Sequence, residues 1–148
     1  MTNDGTMGQH RIRPEAGETF THAFSFSQAD VERFAEVTGD VNPVHLDPAY
    51  AASTPFRKPI LHGFLSASVF SKVFGTIFPG PGTIYMSQEM TFKRPMYPGE
   101  RYVASFTILE TDAAKGTLVI EGRVTDEKGK VCLEGVGRMM NKALFQSA

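Results

Sequence analysis

The stretch HGFLSASVFSKVFGTIF, His62–Phe78, decides how the chain is read. Apolar residues fall almost all round its helical projection, interrupted mainly by small Ser, Ala and Gly, and Lys72 is its only charge. A helix apolar on every side is expected to be buried on every side. It stops at PGPG, Pro79–Gly82, a run that ends helices firmly. The remainder of the chain must therefore supply the cover for one central helix.

The flanking segments alternate in the way strands do. Downstream, Thr83–Met96 runs into the turn YPGE, and Arg101–Glu110 follows. Gly116–Glu127 places Leu118, Ile120 and Val124 on one face, and the short KGK turn, Lys128–Lys130, leads into Val131–Asn141. Upstream, Thr19–Ser27 puts Phe20, His22, Phe24 and Phe26 on one face. The expected order is one strand, small helices, one buried helix and an antiparallel meander. That is an α+β domain with a helix packed on a sheet of roughly five strands. One helix covers only one sheet face and the edge strands stay open, so a dimer is expected.

The length of 148 residues fits one domain. Composition is ordinary for a globular chain, 41% hydrophobic and 21% charged. A formal net charge of -1 gives no electrostatic reason to expect nucleic acid or an anionic membrane as a partner. Cys132 is the only cysteine, so no intrachain disulfide is possible, which suits a reducing cytoplasm. The polar opening MTNDGTMGQHRIRPEAGE lacks the apolar run of a secretory signal. No apolar run reaches the roughly 18 to 20 residues of a membrane span. Residues 1–15 are expected to form a flexible arm, and residues 16–148 the domain.

Between the first strand and the central helix lies TGDVNPVHLDP, Thr38–Pro48, rich in rigid and ionisable residues. Ser27 and Asp30 have the spacing of a capping box for a helix carrying Val31, Phe34 and Ala35. Gly39 is placed to end that helix, and Asp47–Pro48 to start another. Asp40 and His45 are five positions apart, about 140° on a helix, and so cannot share a helical face. A bent chain can bring them together. Pro43 fixes its own φ and pushes Asn42 out of the helical region, and the Asn42 side chain can bond nearby backbone as in turns. A carboxylate and an imidazole that share a water can move protons near neutral pH. Two plainer alternatives stand beside this. Asp40 caps one helix while His45 packs before the next, or Asp40, His45 and Asp47 bind a metal, although their spacing matches no familiar zinc pattern.

His62-Gly63 starts the central helix. A helix N-terminus carries unpaired N–H groups and partial positive charge, and glycine lets an oxygen approach the backbone closely. An oxyanion site for a thioester carbonyl can be built this way. The plainer alternative is that Gly63 only allows close packing and His62 only caps or packs.

Taken together, GDVNPVHLDPAYA and PILHGFLSASVFS resemble the signature of the MaoC-like R-specific enoyl-CoA hydratases, which have the hotdog fold. The similarity runs from about Phe20 to Pro95 and more loosely to Met140. It implies one hotdog domain, with a long central helix over about Gly63–Phe78, and a homodimer or higher homo-oligomer with sites near the subunit interface. It implies that Asp40 and His45 are the catalytic pair, that the Gly63 N–H binds the thioester oxygen, and that Asn42 supports the site. The substrate implied is an acyl-CoA thioester, with no metal or redox cofactor. Phe70, Ser71 and Phe74 occupy the part of the helix where the family's acyl pocket is lined; the alternative is that both phenylalanines are plain core. Arg57, Lys58, Lys93 and Arg94 are candidate contacts for the anionic CoA tail. The competing functions are dehydration of acyl-carrier-protein thioesters and non-catalytic binding of acyl thioesters on the same fold.

Overall fold

The structure is a computed structural model that describes residues 13–146. Strand β1 (Thr19–Phe24) is followed by helices α1 (Gln28–Thr38), α2 (Pro43–Leu46) and α3 (Pro48–Ala52). Helix α4 (Gly63–Thr76) then leads into strands β2 (Ile84–Phe92), β3 (Tyr102–Asp112), β4 (Thr117–Thr125) and β5 (Val131–Met140). The five strands form one antiparallel sheet in the order β1-β3-β4-β5-β2. Helix α4 lies against one face of the sheet, through Phe70 and Phe74, in the hotdog arrangement that the resemblance implies.

Local signals place the small helices. Ser27 and Asp30 form the expected capping box on α1, and Gly39 closes it at φ 79°. Asp47 accepts from the Ala49 and Tyr50 amides to cap α3, with Pro48 in its first turn. Alternation places the strands: in β4, Leu118, Ile120 and Val124 are fully buried, each such side chain contributing about 1.5–3 kcal/mol by leaving water.

The core is built where α4 meets the sheet. Phe70 and Phe74, each 1% exposed, pack edge-on to Phe106 at 5.1 Å between ring centroids. A Cβ on Gly122 of β4 would stand 2.7 Å from the Phe70 ring, so only glycine lets the helix come this close. The Tyr102 hydroxyl accepts from the Tyr97 amide at 2.7 Å and donates to Glu100, pinning the turn before β3.

Helix α4 is not buried on every side within one chain. Phe64 is 77% exposed, and Ser71 is exposed on the same stripe, with Ala67 and Ser68 half-buried between them. The sheet covers only one side of the helix. The open stripe adjoins β2, an edge strand whose Ile84, Tyr85 and Met86 are exposed. Phe64, Ala67, Ser68, Tyr85, Met86 and Met90 are among the residues lining a groove of about 450 Å³ there.

Residues 1–12 of the expected N-terminal arm lie outside the described residues. Its last part is tied down: Arg13 donates to the Phe145 carbonyl at 2.6 Å, and Pro14 is buried. Among the described residues no helix is long and apolar enough to cross a membrane.

Candidate active site

The loop after α1 bends as the Asn42-Pro43 pair requires. Asn42 caps α2 by accepting from the Val44 amide at 3.2 Å, and Pro43 stands in the first turn. The expected turn therefore contains a one-turn helix, and His45 sits on it rather than in open loop. Asp40 is exposed, and one carboxylate oxygen accepts from the Asn42 amide at 3.3 Å. Asn42 thus shapes the loop through both its backbone and its side chain.

His45 is 8% exposed. Its Nδ1 lies 2.8 Å from the Ile60 carbonyl. A carbonyl only accepts, so Nδ1 carries the proton and Nε2 bears the lone pair. Burial pushes the His45 imidazole below the ordinary histidine value, and the neighbouring His62 pushes the same way. The Ile60 bond and the Asp40 carboxylate oppose them without winning. The free base is therefore the dominant form at neutral pH.

Asp40 and His45 do converge, and a third residue joins them. A carboxylate oxygen of Asp40 and one ring nitrogen each from His45 and His62 lie within 4.8 Å of one another. Asp47 stands apart as the α3 cap. The two imidazoles are packed with centroids 4.0 Å apart and planes tilted by 32°. The three side chains are of types that can ligate a metal, and the Asp40–His45 edge is also of a size to share a water.

Helix α4 begins beside this pair. His62 holds the N-cap position without a side-chain cap, and the first helical bond there runs from the Ser66 amide to the His62 carbonyl at 3.0 Å. The Gly63 amide, ahead of that bond, belongs to the set a helix leaves unpaired at its start. A Cβ on Gly63 would stand 3.2 Å from the Phe92 ring. Gly63 and His45 line the same cavity of about 320 Å³, together with Ile60, Ser66, Phe92 and Met96.

The other expected residues scatter. Phe70 and Phe74 are in the aromatic core, and Ser71 is exposed on the open stripe. Of the four bases, Lys93 and Arg94 line the His45 cavity. Lys58 instead pairs with Glu100 at 3.5 Å and lies over the Tyr97 ring, while Arg57 is exposed with a φ of 69°. Sequence reasoning left His62, Ser66, Phe92, Met96 and Cys132 out of the site. Only His62 carried a local signal, as the polar neighbour of Gly63.

The model of the MaoC like domain matches residues 8–129. The chain belongs to the MaoC-like family. It is 36% identical over 121 residues to an (R)-specific enoyl-CoA hydratase of Aeromonas caviae, covering 82% of this chain and 90% of that one. The solved (R)-hydratase of A. caviae, described as involved in PHA biosynthesis, superposes with a TM-score of 0.83 at 34% identity, over 86% of this chain and 97% of that one. An R-hydratase of Pseudomonas aeruginosa superposes with a TM-score of 0.82 at 38% identity, over 86% of this chain and 82% of that one. The MaoC-like chain described here is a single hotdog domain.

Proposed function

We propose that this MaoC-like chain, a hydro-lyase, adds water to trans-2-enoyl-CoA to give (R)-3-hydroxyacyl-CoA, and runs the reverse dehydration. The observation that carries this is the meeting of the Asp40 carboxylate with the His45 imidazole beside the uncapped start of α4. The thioester carbonyl conjugates the double bond and leaves C3 electron-poor. Asp40 and the His45 Nε2 hold one water between them as acceptors. As its oxygen bonds to C3, one O–H proton passes to the pair and the π electrons move onto the thioester oxygen. The Gly63 N–H, backed by the α4 dipole, stabilises that enolate; one such donor is typically worth about 3 to 4 kcal/mol in the barrier. The enolate collapses, C2 takes a proton from the pair, and the starting protonation state returns. The thioester is the electron sink, so this chemistry needs no metal or redox cofactor.

Lys93 and Arg94 line the cavity; Lys93 is paired with Glu134 at 2.8 Å, which leaves Arg94 the better suited of the two to the CoA phosphates. Phe70 and Phe74 pack into the aromatic core and do not line this cavity, so acyl-length preference is left to the residues that do, such as Phe56, Phe92 and Met96. A second copy of the chain is the fitting cover for the apolar stripe of α4 and the open edge of β2. A cytoplasmic setting accords with the buried, unpaired Cys132 thiol.

The test is turnover on enoyl-CoA thioesters of graded length, with chiral analysis of the product and a carrier-protein thioester run in parallel. An R product from CoA substrates supports this function. Faster turnover of the carrier-protein thioester would reassign the chain to the carrier-protein dehydratases, and tight binding without turnover would make it an acyl-thioester binder.

A further inference from the structure

His62 is 1% exposed and touches both proposed catalytic residues. Its Nε2 is 3.0 Å from the backbone carbonyl of Asp40, twenty-two positions away, and so donates to it. Among the described residues, this is the hydrogen bond that ties the Gly39–Asn42 loop to a distant part of the chain. The other bonds of that loop are local, among them the Asp40 amide to Thr38 Oγ1, the Val41 amide to the Gly39 carbonyl, the Asn42 amide to the Asp40 carboxylate, and the Gly39 amide to the Ala35 carbonyl. The same imidazole supports the His45 ring on one side, at 4.0 Å, and meets Phe34 of α1 at 4.7 Å. Its Nδ1 is buried with no hydrogen-bond partner. An unsatisfied buried acceptor costs about 1 to 3 kcal/mol, and a phenylalanine here would fill the space without that cost.

We propose that His62 is a positioning residue: one buried ring clamps the Asp40 backbone and backs the His45 imidazole, setting the gap in which the pair holds its water. This rests on the Asp40–His45 assignment above. The gap is set by groups on three separate segments, α1 with its loop, α2, and the start of α4. Other bonds join them pairwise, Gln28 of α1 to the His45 carbonyl and Ile60 to Val44 and His45, whereas His62 touches all three. Small errors in such a gap are expensive, since a misplacement of about 1 Å costs on the order of 100-fold in rate.

His62→Phe keeps the ring between Phe34 and His45 and removes the donor. His62→Gln carries its amide nitrogen at the reach of Nε2 and keeps the donor. The expected result in hydration of crotonyl-CoA is a kcat about 10- to 100-fold lower for His62→Phe with KM within about threefold of the parent. His62→Gln should recover much of the loss. A His62→Phe kcat within about twofold of the parent overturns the proposal, as does a KM that rises in step with the fall in kcat. If His62→Phe does not fold, His62→Asn replaces it, because its shorter amide stops short of the Asp40 carbonyl; equal turnover of the Gln and Asn variants then overturns the proposal. Asp40→Asn and His45→Gln are assayed alongside. Full activity in those variants overturns the catalytic assignment itself, whereas their inactivity with unaffected His62 variants overturns the positioning role alone.

Discussion

Asp40→Asn isolates charge from geometry at the proposed site. The oxygen that accepts from the Asn42 amide at 3.3 Å has an amide counterpart in asparagine, and the backbone carbonyl held by His62 at 3.0 Å is untouched. The side chain is exposed, so little packing changes, and surface substitutions of this kind usually alter stability by no more than about 0.5 kcal/mol. Catalysis should respond very differently. Asparagine cannot take a proton from water at neutral pH, and loss of a positioned acid–base group typically costs about 100- to 10,000-fold. At 1.36 kcal/mol per tenfold, that is about 2.7 to 5.4 kcal/mol in the barrier. The assay follows loss of the conjugated enoyl thioester of crotonyl-CoA, with thermal unfolding measured on the same preparation. A variant with parental turnover and an unchanged Tm would refute the water-holding role of Asp40. A variant that is inactive because it has unfolded would refute the claim that the amide preserves the loop.

Four further outcomes are expected. Protonated His45 cannot accept a proton, and burial places its titration below the ordinary value of 6.5, so kcat/KM for hydration should hold through pH 6.5 and fall only beneath it; an acid limb at or above 6.5 would contradict the assignment. The same depression makes the unfolded chain bind the proton more readily, so the stability linked to His45 is complete above pH 6.5 and is lost as pH falls through the lowered native value, which urea melts across that range will show. Gly63→Ala keeps its N–H but brings a methyl to 3.2 Å from the half-exposed Phe92 ring; turnover should fall about tenfold or more through obstruction of the carbonyl site, and Tm should change little. Gly135→Ala puts a methyl onto the Glu89 carbonyl across the β2–β5 pair, a backbone clash with no side chain to yield, so it should destabilise by more than about 3 kcal/mol in denaturant unfolding.

Much of the fold was legible because it rests on local rules. Strand alternation located β3, β4 and β5 to within a residue or two, and the capping residues Ser27, Gly39 and Asp47 each act as their types demand. Helix α2 was hidden because four residues show no periodicity. At the site, the bend between Asp40 and His45 could be read from Asn42-Pro43, since proline geometry is local. The His62 bond to Asp40 could not, because it joins residues that only the tertiary fold brings together. The same limit explains Lys58, whose charge was visible but whose partner Glu100 lies 42 residues away. The apolar surround of α4 indicated that it needs cover on all sides, without indicating that one chain supplies only part of that cover.

The glycine at position 122 couples the choice of side chain on the helix to that on the sheet. Where Phe70 rests on Gly122, a larger residue on the strand requires a smaller one on the helix. Gly122→Ala alone should be poorly tolerated, and Phe70→Leu alone should leave a void, yet the two together exchange volume across one contact. Their combined cost should be less than the sum of the separate costs. Efforts to repack the core through Phe70 therefore have a second coordinate, on the strand that faces it.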